Sequence, residues 1–382
     1  MSTLSTSLSP GSTGDPADAE GTAGAAGAAG RAAPQDAGLR EAVERYLEHI
    51  GRADEFAAID LVLGLLEEGV QAERLLLGLI APAQRRVGEL WAANEWSIAR
   101  EHGATAVSER AVAAIAARVR PEPTRGRLTV ACADGEYHAL PTRLLAEVLR
   151  LRGWRVDFLG ASVPGPHLIT HLHQTGPDAV ALGCALPTRL PRAHATLAAC
   201  QAVGVPVMAG GSGFGADGRY ARLLGADAWA PTADVAADRL ERGELTGPPR
   251  PADAPTHLAD EEYTHLTRRR AELLTRAMET LARAYPPMAA YDLHQVDATA
   301  ADLGHLVDFL AAALYVDDVP LFTGFIGWTG AVLAARGVPA EALTVGLRVF
   351  HDELRDFPRA RHMLVQGIEA APVPAPTRRS DV

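Results

Sequence analysis

Cysteine and aromatic residues are scarce in this chain of 382 residues, and basic residues are outnumbered by acidic ones. Its three cysteines, Cys132, Cys184 and Cys200, form no Cys-x-x-Cys pair, which excludes a zinc knuckle and a disulfide framework and fits a reducing compartment. The formal net charge of −11 argues against a broad nucleic-acid surface. Neither a secretory start nor an apolar run of about 20 residues is present. We therefore expect a soluble, cytoplasmic protein that does not associate with membranes.

Hydrophobic spacing predicts two domains in the first two thirds of the chain. Residues 1–37 are rich in Ser, Gly, Ala and Pro and predict a disordered tail. Helical spacing over residues 38–120 predicts a four-helix bundle. Residues 126–243 alternate between helical stretches and β-rich runs, which predicts a doubly wound, flavodoxin-like sheet with ligands at the carboxyl ends of its strands. The predicted strands are Leu128–Ala133, Arg155–Leu159, Ala179–Cys184, Val205–Ala209 and Ala226–Ala230.

A histidine follows the first predicted strand, in the loop Asp134-Gly-Glu136-Tyr-His138. This position is the ligand edge of a doubly wound sheet. Glu136 can accept the proton of one ring nitrogen, which fixes the tautomer and strengthens the other nitrogen as a metal ligand. The spacing by itself equally fits a surface or capping histidine.

Small residues follow the later strands: Gly160 and Ser162 after the second, and Gly210-Gly211 after the fourth. Glycine lets the backbone approach a bulky group, and helix starts favour phosphate, although a tight turn also requires glycine. A glycine-rich loop in the fourth position, rather than the first, argues against an ordinary dinucleotide fold.

Together these loops resemble the B12-binding domain of methionine synthase, the mutases and the corrinoid proteins, which carries Asp-x-His-x-x-Gly, Ser-x-Leu and Gly-Gly motifs. The resemblance implies that His138 is the lower cobalt ligand, in place of the cofactor's own dimethylbenzimidazole. Pro141 stands at the family's Gly and Cys184 at its Ser, which affects local contacts with the nucleotide tail. The cofactor-binding residues implied on this lower side are Asp134, Glu136, Gly160, Ser162, Leu186, Gly210 and Gly211.

A second motif lies in the helical bundle, where Trp91 is followed after nine residues by Glu101-His102. Asn94 is suited to end one helix and Ser97 to cap the next, so Trp91 and His102 can face one pocket. The plainer alternative is a bundle-core Trp and a solvated helix start. The spacing resembles the signature of the B12-dependent photoreceptors, light-released repressors of carotenoid synthesis.

That resemblance implies adenosylcobalamin as the dark ligand, contacted at its adenosyl group by Trp91 and Glu101. It also implies that light breaks the cobalt–carbon bond and that His102 then becomes the new upper cobalt ligand. We therefore expect a sensory protein rather than an enzyme. The N-terminal helix-turn-helix domain of those repressors is replaced by residues 1–37, so we expect no direct DNA binding, an unidentified downstream signalling protein, and a homo-oligomer. The alternative is a corrinoid methyl carrier of a methyltransferase system, whose open upper face Trp91 and Glu101 would crowd.

The C-terminal third predicts a linker at 244–257, an all-α and globin-like domain at 258–371, and a tail at 372–382. This layout resembles the photocobilins, which pair B12 with a linear tetrapyrrole such as biliverdin. Because no cysteine follows Cys200, bilin binding would be non-covalent. Haem is a rival ligand, and a purely structural role for these aromatics and histidines is the plain alternative. The bilin-binding candidates are Tyr291, His294, His305, Asp317, Phe322 and Trp328, and the candidate proximal haem ligands are His294, His305 and His351.

Overall fold

The N-terminal part of the computed structural model, which describes residues 29–245 and 255–371, is a helical bundle. A π-helical turn at Leu76–Ile80 joins α3 to α4, so four helical rods form the bundle, as the spacing predicts. The first rod begins at Ala29, within the range 1–37 assigned to a tail, and residues 1–28 lie outside the described part. The helices are α1 (Ala29–Gly51), α2 (Glu55–Glu67), α3 (Ala72–Leu75), α4 (Ala81–Ala92) and α5 (Ile98–Arg118).

The central domain is a parallel five-stranded sheet in the order β2-β1-β3-β4-β5, as in a doubly wound fold. Its strands are β1 (Arg127–Cys132), β2 (Arg155–Gly160), β3 (Ala179–Gly183), β4 (Val207–Gly210) and β5 (Ala228–Ala230). The last two strands begin later than predicted, and before β4 stands Pro206, which has no backbone N–H to donate to a ladder. The intervening helices are α6 (Ala139–Leu151), α7 (Gly165–Thr175), α8 (Leu190–Ala202), α9 (Arg219–Leu223) and α10 (Ala233–Glu241).

The two faces of the sheet belong to two different hydrophobic cores. On one face α6 and α10 share a cluster with the N-terminal bundle, in which Leu76 and Val112 join Leu144 and Val148. On the other face α7, α8 and α9 share a cluster with the C-terminal domain. The sheet therefore lies between the two helical domains.

The C-terminal domain is all-helical, as predicted. Its first two helices are separated at Arg269, and the third begins at Leu293, where Asp292 and Gln295 form a capping box. Predicted linker residues 246–254 and tail residues 372–382 lie outside the described part. The helices are α11 (Glu262–Arg268), α12 (Arg270–Ala284), α13 (Leu293–Val316), α14 (Val319–Ala335), α15 (Ala340–Glu353) and α16 (Pro358–Ala370).

One helix, α13, is long and apolar enough to cross a membrane, with a mean hydropathy of 1.3 over its most apolar window. The expectation that the chain contains no apolar run of about 20 residues is wrong at this helix. Two thirds of that window (67%) is buried inside the protein, so α13 is explained as the core helix of a helical domain.

Candidate functional site

A buried carboxylate organises the loop between β1 and α6. Glu136 is 1% exposed, and its Oε1 accepts hydrogen bonds from the backbone N–H of His138 at 2.9 Å and from His138 Nδ1 at 2.6 Å. Its Oε2 accepts from the backbone N–H groups of Ala185 at 2.8 Å and Leu186 at 3.0 Å. Burial raises the pKa of the Glu136 carboxyl, but the bonds and charge of His138 and the Leu186 amide outweigh it and lower that pKa to about 2.

This arrangement prepares His138 as a metal ligand. A proton on Nδ1 is required to donate to Glu136, so the neutral ring presents Nε2 to a metal. The His138 side chain is 27% exposed, at the carboxyl edge of the sheet. A buried carboxylate held by backbone amides and bonded to an imidazole fits a cobalt cofactor whose lower ligand is a histidine. The assignment of His138 to cobalt stays a prediction.

The loops after β2 and β4 bring small residues to the same edge. Gly160 has a φ of +81°, and a Cβ placed on it would meet no atom within 4 Å, which leaves open space beside the strand end. Ser162 also has a positive φ, of 48°, and its Oγ accepts a hydrogen bond from the Gly135 N–H at 3.1 Å. Ser162 is therefore joined to the His138 loop as well as lying at the edge.

The Gly-Gly motif packs against the loop after β3. Gly211 has a φ of +100°, and a Cβ there would overlap the carbonyl oxygen of Cys184, so only glycine fits. Gly210 ends β4. Leu186 is 6% exposed and contributes its backbone N–H to Glu136, a role that sequence reasoning did not assign to it. Asp134 lies at the rim and pairs with Arg192 at 3.2 Å.

The two departures from the family motif are compatible with this local structure. Pro141 lies in the first turn of α6, where a missing N–H leaves no intrahelical bond unmade. Cys184 is 1% exposed, its Sγ lies 3.3 Å from the Leu186 carbonyl, and burial raises the pKa of its thiol. A neutral thiol thus occupies the family's serine position.

The turn between α4 and α5 has the geometry that the sequence predicts. Asn94 is left-handed, with a φ of 61°, and follows the end of α4. Ser97 caps α5, because its Oγ accepts from the Arg100 N–H at 3.3 Å. Both helix-boundary predictions are confirmed.

In the first turn of α5, His102 Nδ1 is hydrogen-bonded to the Glu101 carboxylate. Thr105 Oγ1 lies 3.4 Å from the other oxygen of Glu101. Glu101 is mostly covered, with a side-chain exposure of 12%, whereas His102 is 48% exposed. His102 therefore repeats the carboxylate-to-Nδ1 arrangement of His138, with Nε2 as the nitrogen presented to a metal.

Trp91, which belongs to the N-terminal bundle, is covered by residues of the C-terminal domain. The indole is 1% exposed and stacks on Trp328 of α14, with ring centroids 6.1 Å apart and planes 27° apart. The guanidinium carbon of Arg336 lies 4.8 Å from the Trp91 ring centroid, and Nη2 donates to the Trp91 carbonyl at 3.0 Å. Sequence reasoning missed Arg336, since nothing local to it signals a contact with Trp91.

Four of the six bilin-binding candidates form two groups. Trp328 and His294 lie beside Trp91, since His294 lines a groove of about 270 Å³ together with Trp91 and Arg336. Asp317 pairs with Arg359 at 3.0 Å, and Phe322 is wholly buried beside Gly367. Both of these contacts lie within the C-terminal domain.

One face of α13 lies next to the central domain. The helix packs against the 3-10 turn Pro187–Arg189 that follows β3, and burial lowers the pKa of His305 on that helix. One turn earlier, Asp302 has a buried oxygen with no hydrogen-bond partner, and burial, only partly offset by Arg336, raises the pKa of its carboxyl to about 7. Arg189 Nε is likewise buried without a partner. Asp302 is an acidic residue in a largely apolar helix, so the sequence contained a sign of this buried carboxyl group that was not used to select candidates.

Tyr291 is partly buried and packs against the C-terminal cluster.

Comparison with known proteins agrees with the geometry of the central domain. Residues 126–240 match the family described as B12 binding domain, and residues 42–116 match a second family of the same description. The HTH-type transcriptional repressor CarA of Myxococcus xanthus is 30% identical over 188 residues, which are 48% of this chain and 61% of that protein. The chain thus spans less than two thirds of this relative.

Two solved structures resemble this chain over about half of its length. A monomethylamine corrinoid protein of Methanosarcina barkeri is 18% identical, with a TM-score of 0.48, over 53% of this chain and 99% of that one. A cobalamin-binding protein of Desulfitobacterium hafniense is 19% identical, with a TM-score of 0.31, over 54% and 98%. Similarity at this level carries no functional argument. The two domain matches, together with the Glu136–His138 loop, support cobalamin binding by this chain, with its α/β domain as the binding domain.

Proposed function

We propose that this chain is a light sensor that binds adenosylcobalamin with His138 as the lower and His102 as the later upper cobalt ligand. The observation that carries the proposal is the pairing of both histidines with a carboxylate through Nδ1. The cofactor supplies a cobalt–carbon bond that visible light cleaves. The similarity to a transcriptional repressor over 188 residues supports a regulatory role rather than an enzymatic one.

The residues on the lower and upper sides of the proposed site have different roles. Glu136 holds His138 in one tautomer and is itself held by two backbone amides, so the lower side is rigid. Glu101 holds His102 in the same tautomer on an exposed helix start, where the side chain has room to change rotamer. A fixed lower ligand and a movable upper ligand are what a ligand exchange needs.

The test is illumination of the full chain reconstituted with adenosylcobalamin, followed by visible absorption spectroscopy. We expect a lasting spectral change under green light in the wild type. In His102→Ala we expect photolysis but a different final spectrum, because water replaces imidazole as the upper ligand. His173→Ala, which removes an exposed histidine of α7, is the matched control and should behave as the wild type. An unchanged spectrum, or identical final spectra with and without His102, would refute the proposal.

A second proposed function, for the C-terminal domain, is non-covalent binding of a bilin such as biliverdin beside α13. The observation that favours it is the unsatisfied buried oxygen of Asp302 with His305 one turn away, since pyrrole nitrogens donate hydrogen bonds to such groups. Phe309, Phe325 and Trp328 form a continuous row of ring contacts with centroid separations of 3.7 and 6.3 Å, which makes the surroundings of α13 aromatic and apolar.

Titration of the full chain with biliverdin, monitored by its red absorption band, tests this function. We expect a shifted band in the wild type and a weaker affinity in Asp302→Asn. Asp297→Asn, on the exposed side of α13, is the control and should bind as the wild type. Failure to bind biliverdin, together with a sharp Soret band on adding haem, would assign the pocket to haem instead.

The methyl-carrier alternative needs a partner enzyme to reach the upper face. Trp91 is buried beneath Trp328 and Arg336, and Glu101 is mostly covered, so these side chains oppose such access. Light-independent demethylation of the methylcobalamin-loaded protein by a thiol would favour the carrier over the sensor.

A further inference from the structure

The N-terminal bundle and the C-terminal domain cap each other's helices. Arg336, at the end of α14, donates to the carbonyl oxygens of Trp91 at 3.0 Å and Ala92 at 3.3 Å, the last two residues of α4. In return Asn94 donates from Nδ2 to the carbonyl of Ala335 at 3.3 Å. The last carbonyls of a helix have no intrahelical donor and attract cations, so each domain supplies hydrogen-bond donors to a helix end of the other. These contacts, with the stack of Trp91 on Trp328, are called the clasp below.

The clasp conflicts with the contact between Trp91 and the adenosyl group that the resemblance to the photoreceptors implies. A side chain that is 1% exposed offers almost no surface to a ligand, so an adenosyl group can contact this indole only after a neighbour moves. The aromatic and cationic contacts of the ring, from Trp328 and Arg336, both come from the C-terminal domain.

The clasp also has the properties of a contact that can open. Ala335 and Asn94 are exposed and Arg336 is partly buried, so water can replace the hydrogen bonds when they break. Opening the clasp therefore needs only a modest difference in affinity between the two states.

Resting on the proposed function, we propose that the upper ligand of the cofactor and the C-terminal domain compete for Trp91. Adenosylcobalamin binding in the dark releases the clasp, and loss of the adenosyl group lets Trp328 and Arg336 return. By thermodynamic linkage, the clasp weakens adenosylcobalamin binding by the same factor as adenosylcobalamin weakens the clasp. The C-terminal domain thereby detects which upper ligand the cobalt carries.

The competition predicts the direction of a binding change. In Trp328→Ala and Arg336→Ala, adenosylcobalamin should bind roughly tenfold more tightly in the dark, since its competitor is gone. Hydroxocobalamin has no bulky upper ligand, so its affinity should stay the same in both variants. Asn94→Gly accepts the left-handed backbone and removes only one clasp bond, so it should give a smaller change of the same sign. This variant also covers the case in which the larger substitutions fail to fold.

Hydrogen exchange of the full chain provides a readout that is independent of affinity. Dark adenosylcobalamin should speed exchange in the last turn of α14, at Val332–Ala335, whereas hydroxocobalamin should not. Unchanged affinities, or weaker adenosylcobalamin binding in the variants, would overturn the competition, as would equal protection of α14 with both cobalamins. Because all measurements are made in the dark, they remain informative if the protein shows no light response, and failure of either idea is recognised separately.

Discussion

Replacement of Glu136 by Gln removes the charged acceptor of the His138 loop with almost no change in volume. The carboxylate accepts from four donors, the N–H and Nδ1 of His138 and the N–H groups of Ala185 and Leu186. A glutamine has one oxygen for one pair of donors and turns an NH2 group towards the other pair. If that oxygen faces His138, the buried N–H groups of Ala185 and Leu186 lack acceptors, at a cost of about 1–3 kcal/mol each. The expected loss in the free energy of unfolding is about 2–6 kcal/mol.

The same substitution should also weaken cobalamin binding. If the new oxygen faces the two amides, the NH2 group favours the tautomer in which Nδ1 of His138 accepts and Nε2 carries the proton, which blocks Nε2 as a ligand. Loss of such a supporting group typically weakens metal binding about 10–100-fold. Spectral titration with hydroxocobalamin measures the affinity, and urea denaturation with hydrogen exchange at Ala185 and Leu186 measures the stability. Glu122→Gln alters an exposed carboxylate and should stay within about 0.5 kcal/mol of the wild type. A Glu136→Gln protein as stable and as tight-binding as the wild type would refute the reasoning.

Further predictions concern Asp302 and two glycines. The folded pKa of Asp302 is raised from 3.8 to about 7, so the folded state holds the proton more tightly and stability falls as pH rises through that interval. Asp302→Asn should lack this dependence and exceed the wild type at pH 8 by at most about 4 kcal/mol, whereas parallel pH profiles in urea denaturation would contradict the assignment. Gly211→Ala should cost about 3 kcal/mol or more, from a φ of +100° and the overlap with Cys184, and cobalamin binding should weaken with it. Gly88→Ala, in the middle of α4 with open space around it, should instead stabilise the bundle by about 0.5–1 kcal/mol in thermal or urea denaturation.

Much of the lower side of the site was predictable because its parts are close in sequence. Glu136 and His138 are two residues apart on one loop, so their bond follows from spacing and from the placement of loops at the strand ends. The boundary between α4 and α5 was predictable for the same reason, since Asn94 and Ser97 act through local backbone geometry. The start of α13 carries a readable capping box at Asp292, which the helical spacing alone did not reveal.

Contacts between residues far apart along the chain were decided by the tertiary structure. The amides of Ala185 and Leu186 reach Glu136 only because β1 and β3 are neighbours in the sheet. The cover over Trp91 comes from residues more than two hundred positions later, Trp328 and Arg336, which no local pattern connects to it. The sequence by itself determined the sheet, the helical domains and the Glu136–His138 pair, since these depend on periodicity and short-range hydrogen bonding. Which domain shields Trp91 depends on how separately formed hydrophobic faces pack, and packing is a property of the whole folded chain.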